Sequence, residues 1–372
     1  PDATVTAGRG VLYIALAKAY FMVAGYAIVF TLPRLFARVA DWGNYTLVVA
    51  TASVIDNVIV TGTIQAVSRF TAQSDDLVDA VKRASLRVQL GLGGLVALSY
   101  FALAPVIADL ENDDSLINLY RVSAGIVLCY AFYAVFVGSL NGQKRFGRQA
   151  TLDIGFATLR AALILGCAAA GLGVIGALGG FVTAAAIILA ISAVWVGLPR
   201  RGGPRFEARR IWSFMVQMFV YNTALNLITR ADLFLLKSFA GRFAAAEAQA
   251  AEVASTAAGY YASAQYLAFI PYQAILAVAF VVFPLVSRAT FDQDLARTQS
   301  YIRQTLRLSL LFVAGLAVVL MANAEAMMRV PFPDELRFGW RAMRILAAGM
   351  VFFSMFTIVN TILNGAGRTG LT

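Results

Sequence analysis

Ten nearly continuous apolar runs occupy most of this chain: 11–33, 44–68, 88–108, 116–140, 151–172, 174–198, 211–240, 258–287, 305–325 and 341–363. Each is long enough for a helix to cross a hydrocarbon core of about 30 Å, which takes about 20 apolar residues. Lipid offers no partner to an open backbone group, so every run is expected to be helical. A β-barrel would read instead as short alternating segments. A very apolar soluble core is disfavoured by charge. Only 13% of the residues are Asp, Glu, Lys or Arg, against about 25% in a soluble domain. The expected fold class is therefore an all-α polytopic membrane protein with about ten transmembrane helices.

Four short signatures then occur twice, in the same order. Gly43-Asn44-Tyr45 returns as Gly259-Tyr260-Tyr261, and Val67-Ser68-Arg69 as Val286-Ser287-Arg288. The segment Arg83 to Leu90 returns as Arg303 to Leu310, and Leu140-Asn141-Gly142 with Arg145 returns as Leu363-Asn364-Gly365 with Arg368. The offsets are 216, 219, 220 and 223 residues. Any one match is compatible with chance in so apolar a chain; an ordered set with slowly drifting spacing implies duplication. The predicted organisation is an N-terminal six-helix lobe over 1–198, a basic linker over 199–210, and a C-terminal lobe over 211–372. Six helices return the chain to its starting side, so the copies run parallel and their pseudo-two-fold axis lies along the membrane normal. Four of six helices are present in the second copy. About 50 residues are expected to be missing after Thr372, and the start at Pro1 is expected to be trimmed. The chain as given is then expected to be inactive alone. The run 11–31 is too long for a cleavable signal.

The net charge of +10 sits in short loops, which argues for orientation in a membrane and not for nucleic acid. Alternate loops carry 16 Lys and Arg on one side (69–87, 144–148, 200–210 and 288–307) against 6 on the other. The poorer side also holds the acidic segment Asp109 to Asp114. The richer side is expected to be cytoplasmic, with both termini. Cys129 and Cys167 lie inside apolar runs and there is no histidine, so no disulfide framework, metal site or cofactor is expected. Gly171 to Gly176 matches a dinucleotide-binding pattern in letters only, because no strand precedes it. Its glycines, with Gly180, suit a tight turn and close helix approach. There is no phosphate-binding loop, so no ATP hydrolysis, and no acid–base pair for an enzyme.

A basic amphipathic start, Gly-x-Tyr opening the second span and Leu-Asn-Gly-x-x-Arg after the fourth resemble polysaccharide-biosynthesis flippases of the O-antigen type. So do Gly259-Tyr260-Tyr261-Ala262-Ser263-Ala264, Pro271 and Phe283-Pro284. These belong to the multidrug/oligosaccharidyl-lipid/polysaccharide exporter superfamily. The resemblance implies a MATE-like pair of lobes, C-terminally truncated here. It also implies a place in the bacterial inner membrane and a lipid-linked oligosaccharide, a glycan on polyprenyl pyrophosphate, as cargo. Membrane lipid and glycan polymerase or assembly proteins are further expected partners; nucleic acid is not.

Intramembrane charges are the sharpest site signal, since each costs about 2.5–3.5 kcal/mol at mid-bilayer on insertion scales. Lys18, Asp56, Arg160, Arg230 and Asp232 lie well inside spans; Arg121, Asp153 and Lys237 lie nearer ends, where snorkelling would serve. Thr223, Asn226, Arg230 and Lys237 form one helix face, as do Ser53, Asp56, Asn57, Thr61, Gln65 and Ser68. Two such stripes suggest a shared aqueous cavity, although interhelical bonding alone would also account for them. For an anionic pyrophosphate, the candidate substrate contacts are Lys18, Arg160, Arg230, Lys237 and Asn226. Asp56 and Asp232 are the candidates for ion coupling. Two other readings stay open: a MATE-like ion-coupled antiporter exporting cationic small molecules through Asp56 and Asp232, and a non-transporting scaffold for glycan assembly.

Overall fold

The computed structural model describes residues 3–200, 205–244, 249–275 and 295–365. Among these residues there is no strand. By contact the chain forms two compact units, Pro1–Gly259 and Tyr260–Thr372.

The first unit opens with α1 (Ala3–Leu35), α2 (Val39–Thr71), α3 (Val78–Leu110) and α4 (Leu116–Gly142). It continues with α5 (Phe146–Ala169), α6 (Gly173–Trp195) and α7 (Ala208–Ala240), then the start of α8 (Ala250–Ala268). Burial ranks the helices: 67% of the apolar stretch of α4 is enclosed, against 22% for α1 and α3. α4 is therefore the axis of the bundle, while Leu90, Leu95 and Leu98 of α3 stand exposed. In a chain of this composition such faces meet lipid. The α5–α6 turn works as the glycines suggest. Gly171 and Gly173 take φ of 78° and 60°, and a Cβ on Gly180 would come within 2.5 Å of the Leu163 carbonyl oxygen.

Two expectations change here. α2, α3 and α7 are 33 residues each, about 50 Å at 1.5 Å per residue and well beyond a bilayer core. The basic stretches 78–87 and 208–210, read as loop, are thus turns of helix. The linker 199–210 also does not separate units in packing. Ile211 and Met215 of α7 share a core with Ala66 of α2 and Ala84 of α3, so α7 packs as part of the first unit. The part of the linker over 201–204 lies outside the described residues.

Contacts also sort the loops of this unit. Ser238 donates to the Leu110 carbonyl at 3.3 Å and Arg38 lies 3.9 Å from Glu252, so the segments after α1, α3 and α7 meet at one end. Lys82 donates to the Gly197 carbonyl at 3.1 Å at the other. That is the grouping the alternation of basic loops predicts.

In the second unit, α9 (Leu295–Ala322) packs on α11 (Trp340–Gly365) around Ile275, Val313, Ile358 and Ile362. α10 (Ala324–Arg329) and a 3-10 turn over Asp334–Gly339 join them. Leu140-Asn141-Gly142 ends α4, and Leu363-Asn364-Gly365 are the last described residues of α11. Eight helices are long and apolar enough to cross a membrane among the described residues. The run 211–240 lies inside α7. The run 258–287 is described only to 275, so Phe283-Pro284 and Val286-Ser287-Arg288 lie outside the described residues, as does Arg368.

Candidate functional site

Two of the predicted cations meet inside the first unit. Lys18 of α1 pairs with Asp153 of α5 at 3.2 Å; the lysine side chain is 62% exposed and the aspartate 10%. Seven residues on, along the same face of α5, Arg160 lies over the Phe21 ring at 4.4 Å, with the Phe181 and Phe156 rings at 5.6 and 5.9 Å. Phe21 also carries Lys18 at 5.9 Å, so both cations flank one aromatic ring of α1. A guanidinium over aromatic faces is stabilised by the ring quadrupole. The cage thus stabilises the Arg160 guanidinium in a span without cancelling its charge.

The file continues inward. Arg160 interacts with Tyr130 of α4, and Asp56 of α2 lies within electrostatic reach of Tyr130, Tyr100 and Cys129. Asp56 is 7% exposed, and its Oδ1 has no hydrogen-bond partner among the described residues. A buried carboxylate oxygen left unanswered is costly, and such a group inside a membrane marks a candidate ion or proton site. The stripe on α2 divides: Asn57 and Gln65 are exposed, whereas Asp56 turns into the bundle. Adjacent positions on a helix are about 100° apart, so the two side chains leave the axis in different directions.

On α7, Thr223 is partly buried, Asp232 is half-buried and its Oδ1 accepts from the Leu233 amide at 2.8 Å. The side chains of Asn226 and Arg230 lie outside the described residues.

Lys237 and Asp153 do not snorkel, contrary to expectation. The Lys237 side chain is 0% exposed and pairs with Asp113 at 2.8 Å. It also donates to Ser255 and to Asn44 Oδ1, the latter at 3.4 Å. The reason is position: the acidic segment after α3 folds over the end of α7 and supplies the counter-charge that water would otherwise provide. The same segment, read in sequence only for orientation, therefore supplies Asp113 and Glu111 to a buried network. With its charge answered by Asp113, Lys237 serves here as a tie between α7, α8 and the α3–α4 turn. Nothing in the sequence signalled Ser255 or Asp113 as partners of Lys237, which is 124 residues from Asp113 along the chain.

Burial pushes the Glu111 carboxyl up from an ordinary 4.5 to about 7, against the opposing pull of Lys237 and a hydrogen bond with Ser238. Burial would raise Asp113 as well, but hydrogen bonds from Lys237 and Ser115 outweigh it and hold that carboxyl below its ordinary value. Folded Glu111 therefore keeps a proton that the unfolded chain has released. Its contribution to stability is full below pH 4.5 and is lost as pH rises through about 7. A wild-type melting temperature that falls across that window is expected, by an amount equivalent to about 3 kcal/mol, and Glu111→Gln should flatten the slope. A slope unchanged in Glu111→Gln would remove Glu111 from the account.

This architecture is that of a polytopic helical membrane protein. It is similar to a multidrug resistance MATE family transporter of the MOP superfamily in its inward-facing conformation, with a TM-score of 0.71 and 14% identity over 97% of this chain and 85% of that one. An outward-facing MATE family transporter matches with a TM-score of 0.65 and 16% identity over 100% of this chain and 84% of that one. A MOP-superfamily transporter from Pyrococcus furiosus, described as having a binding pocket of reversed polarity that suggests a different function, matches at 0.66 and 14% identity, covering 97% and 83%. No curated protein matches the sequence significantly. The family profile of polysaccharide biosynthesis proteins matches residues 31–336, and the chain belongs to that family.

Proposed function

We propose that the protein is a membrane transporter that carries a lipid-linked oligosaccharide across the bacterial inner membrane by alternating access. The observation that carries this reading is the pair of intramembrane cations, Lys18 and Arg160, on either side of Phe21 in a chain of the polysaccharide biosynthesis family. Lys18 is exposed and held by one carboxylate, so a pyrophosphate can take the place of Asp153. Arg160 adds a guanidinium, whose planar fork suits phosphate oxygens. Arg230 and Asn226 of α7 are proposed to complete the anion site, with the glycan left in water. The step breaks no covalent bond; the work is moving a charged headgroup past hydrocarbon.

A second reading, an ion-coupled antiporter of cationic small molecules, is favoured by Asp56 and its unanswered oxygen, with Asp232 as its partner acid. Both can coexist if Asp56 binds the coupling ion and the cations bind cargo.

The test is translocation of a fluorescent polyprenyl-pyrophosphate glycan in vesicles holding the full-length protein. Arg160→Ala is expected to lower the rate about 10- to 100-fold, the worth of one charge-assisted hydrogen bond, while Arg160→Lys keeps part of it. Full activity in Arg160→Ala would sink the proposed anion site. If Asp56→Asn abolishes proton-driven export of a cationic dye and no variant moves glycan, the antiporter reading replaces the first.

A further inference from the structure

We propose that the cleft between the first turns of α3 and the segment entering α7 binds the phosphate headgroup of an anionic glycerophospholipid. This site lies away from Lys18 and Arg160 and does not depend on what the protein transports.

The cleft has a volume of about 220 Å³ and is lined by Arg83, Arg87, Arg205 and Glu207, with Ala80, Ala84 and Phe206. The two alanines leave the space that longer side chains would fill. Phe206 stacks against Phe70 at 5.1 Å, which fixes the backbone beside Arg205. Three arginines and one glutamate line it, and that glutamate pairs with Arg210 at 3.5 Å. The balance is cationic, and guanidinium groups bind phosphate oxygens two at a time.

The source of the phosphate follows from what lies beneath. Arg87 begins a face of α3 that continues through Leu90 and Leu98, which are 70% and 65% exposed. Arg209 begins a like face of α7 that continues through Trp212 and Val216, 45% and 44% exposed. Charge at the helix end, an interfacial tryptophan and bare apolar surface further along match a phospholipid, headgroup above and acyl chains below. A soluble phosphate would have no use for the apolar part. The cleft also lies at the arginine-rich end, the side that basic loops assign to the cytoplasmic leaflet.

The experiment is native mass spectrometry of the full-length protein released from vesicles of equal parts phosphatidylcholine and phosphatidylglycerol. Wild type should retain phosphatidylglycerol in preference to phosphatidylcholine. The triple variant Arg83→Gln/Arg87→Gln/Arg205→Gln should lose about a hundredfold in that preference, three arginines at the usual surface increment each. The matched variant Arg329→Gln/Arg337→Gln/Arg341→Gln removes as much charge elsewhere and should keep it. Equal loss in both variants would show a diffuse charge effect and overturn the site. Release of the retained lipid by millimolar pyrophosphate, but not by sulfate, would identify a soluble diphosphate as the ligand and overturn the lipid assignment. A circular-dichroism melt of each variant shows that binding, not folding, is what changed: a loss of preference in an unfolded triple variant is replaced by the same comparison with Arg83→Lys/Arg87→Lys, which keeps the charge and should bind.

Discussion

Lys237→Met is expected to destabilise the protein by about 3–5 kcal/mol, because it leaves Asp113 as a buried charge without its partner. The Asp113 side chain is 7% exposed, so water cannot replace the ammonium. The Ser115 hydroxyl and amide still donate to Asp113, but they supply no opposite charge. In the double variant Lys237→Met/Asp113→Asn, most of the loss should return, since buried ion pairs are often worth no more than well-packed neutral substitutes. Denaturation in mixed micelles reads the stability, and hydrogen exchange over 111–115 reads the local opening. A single variant as stable as wild type would mean that the pair is not closed in the membrane. A double variant no better than the single would locate the loss in packing of the lysine stem instead.

The second large effect is expected where α2 crosses α8. A Cβ on Gly43 would stand 2.9 Å from the Gly259 amide nitrogen and 2.8 Å from the Ser255 carbonyl carbon. A Cβ on Gly259 would stand 2.8 Å from the Val39 carbonyl oxygen. These neighbours are backbone, which cannot rotate away as a side chain does, so the helices must separate. Gly43→Val and Gly259→Val should each cost about 3 kcal/mol, the upper range for overpacking. Separation would also pull Ser255 and Asn44 from Lys237, so the two perturbations should be non-additive. Gly91→Ala is the control: a Cβ there meets nothing within 4 Å, and helix propensity should make it neutral or stabilising by up to about 1 kcal/mol. If Gly43→Val behaves like Gly91→Ala, the close crossing is wrong.

Gly43 and Gly259 belong to the first of the recurring signatures, and they touch. Sequence could only note that they recur. A backbone crossing that close admits only glycine.

The site was legible to a different degree. Lys18, Arg160 and Asp56 stood out because charge is rare and expensive inside an apolar run. Their partners did not. Asp153 looked close enough to a span end to snorkel, and no sequence signal set Phe21 apart. Which residues face them depends on how α1 lies against α5 and α4, a matter of rotation about each helix axis that spacing along one helix cannot reveal.

What the sequence by itself determined is the helical class, the placement of eight of the spans and the family. Each follows from a local quantity: apolar length against bilayer thickness, the cost of charge in lipid, and short motifs along the chain. What only the tertiary structure decided is pairing. It put α7 with the first six helices across a proline- and glycine-rich linker, closed Lys237 on Asp113 across 124 residues of chain, and turned Asp56 inward while Asn57 faces out. The physical reason is that lipid supplies no hydrophobic drive between helices. Which faces meet is therefore settled by small residues, aromatic rings and ion pairs contributed from several helices at once.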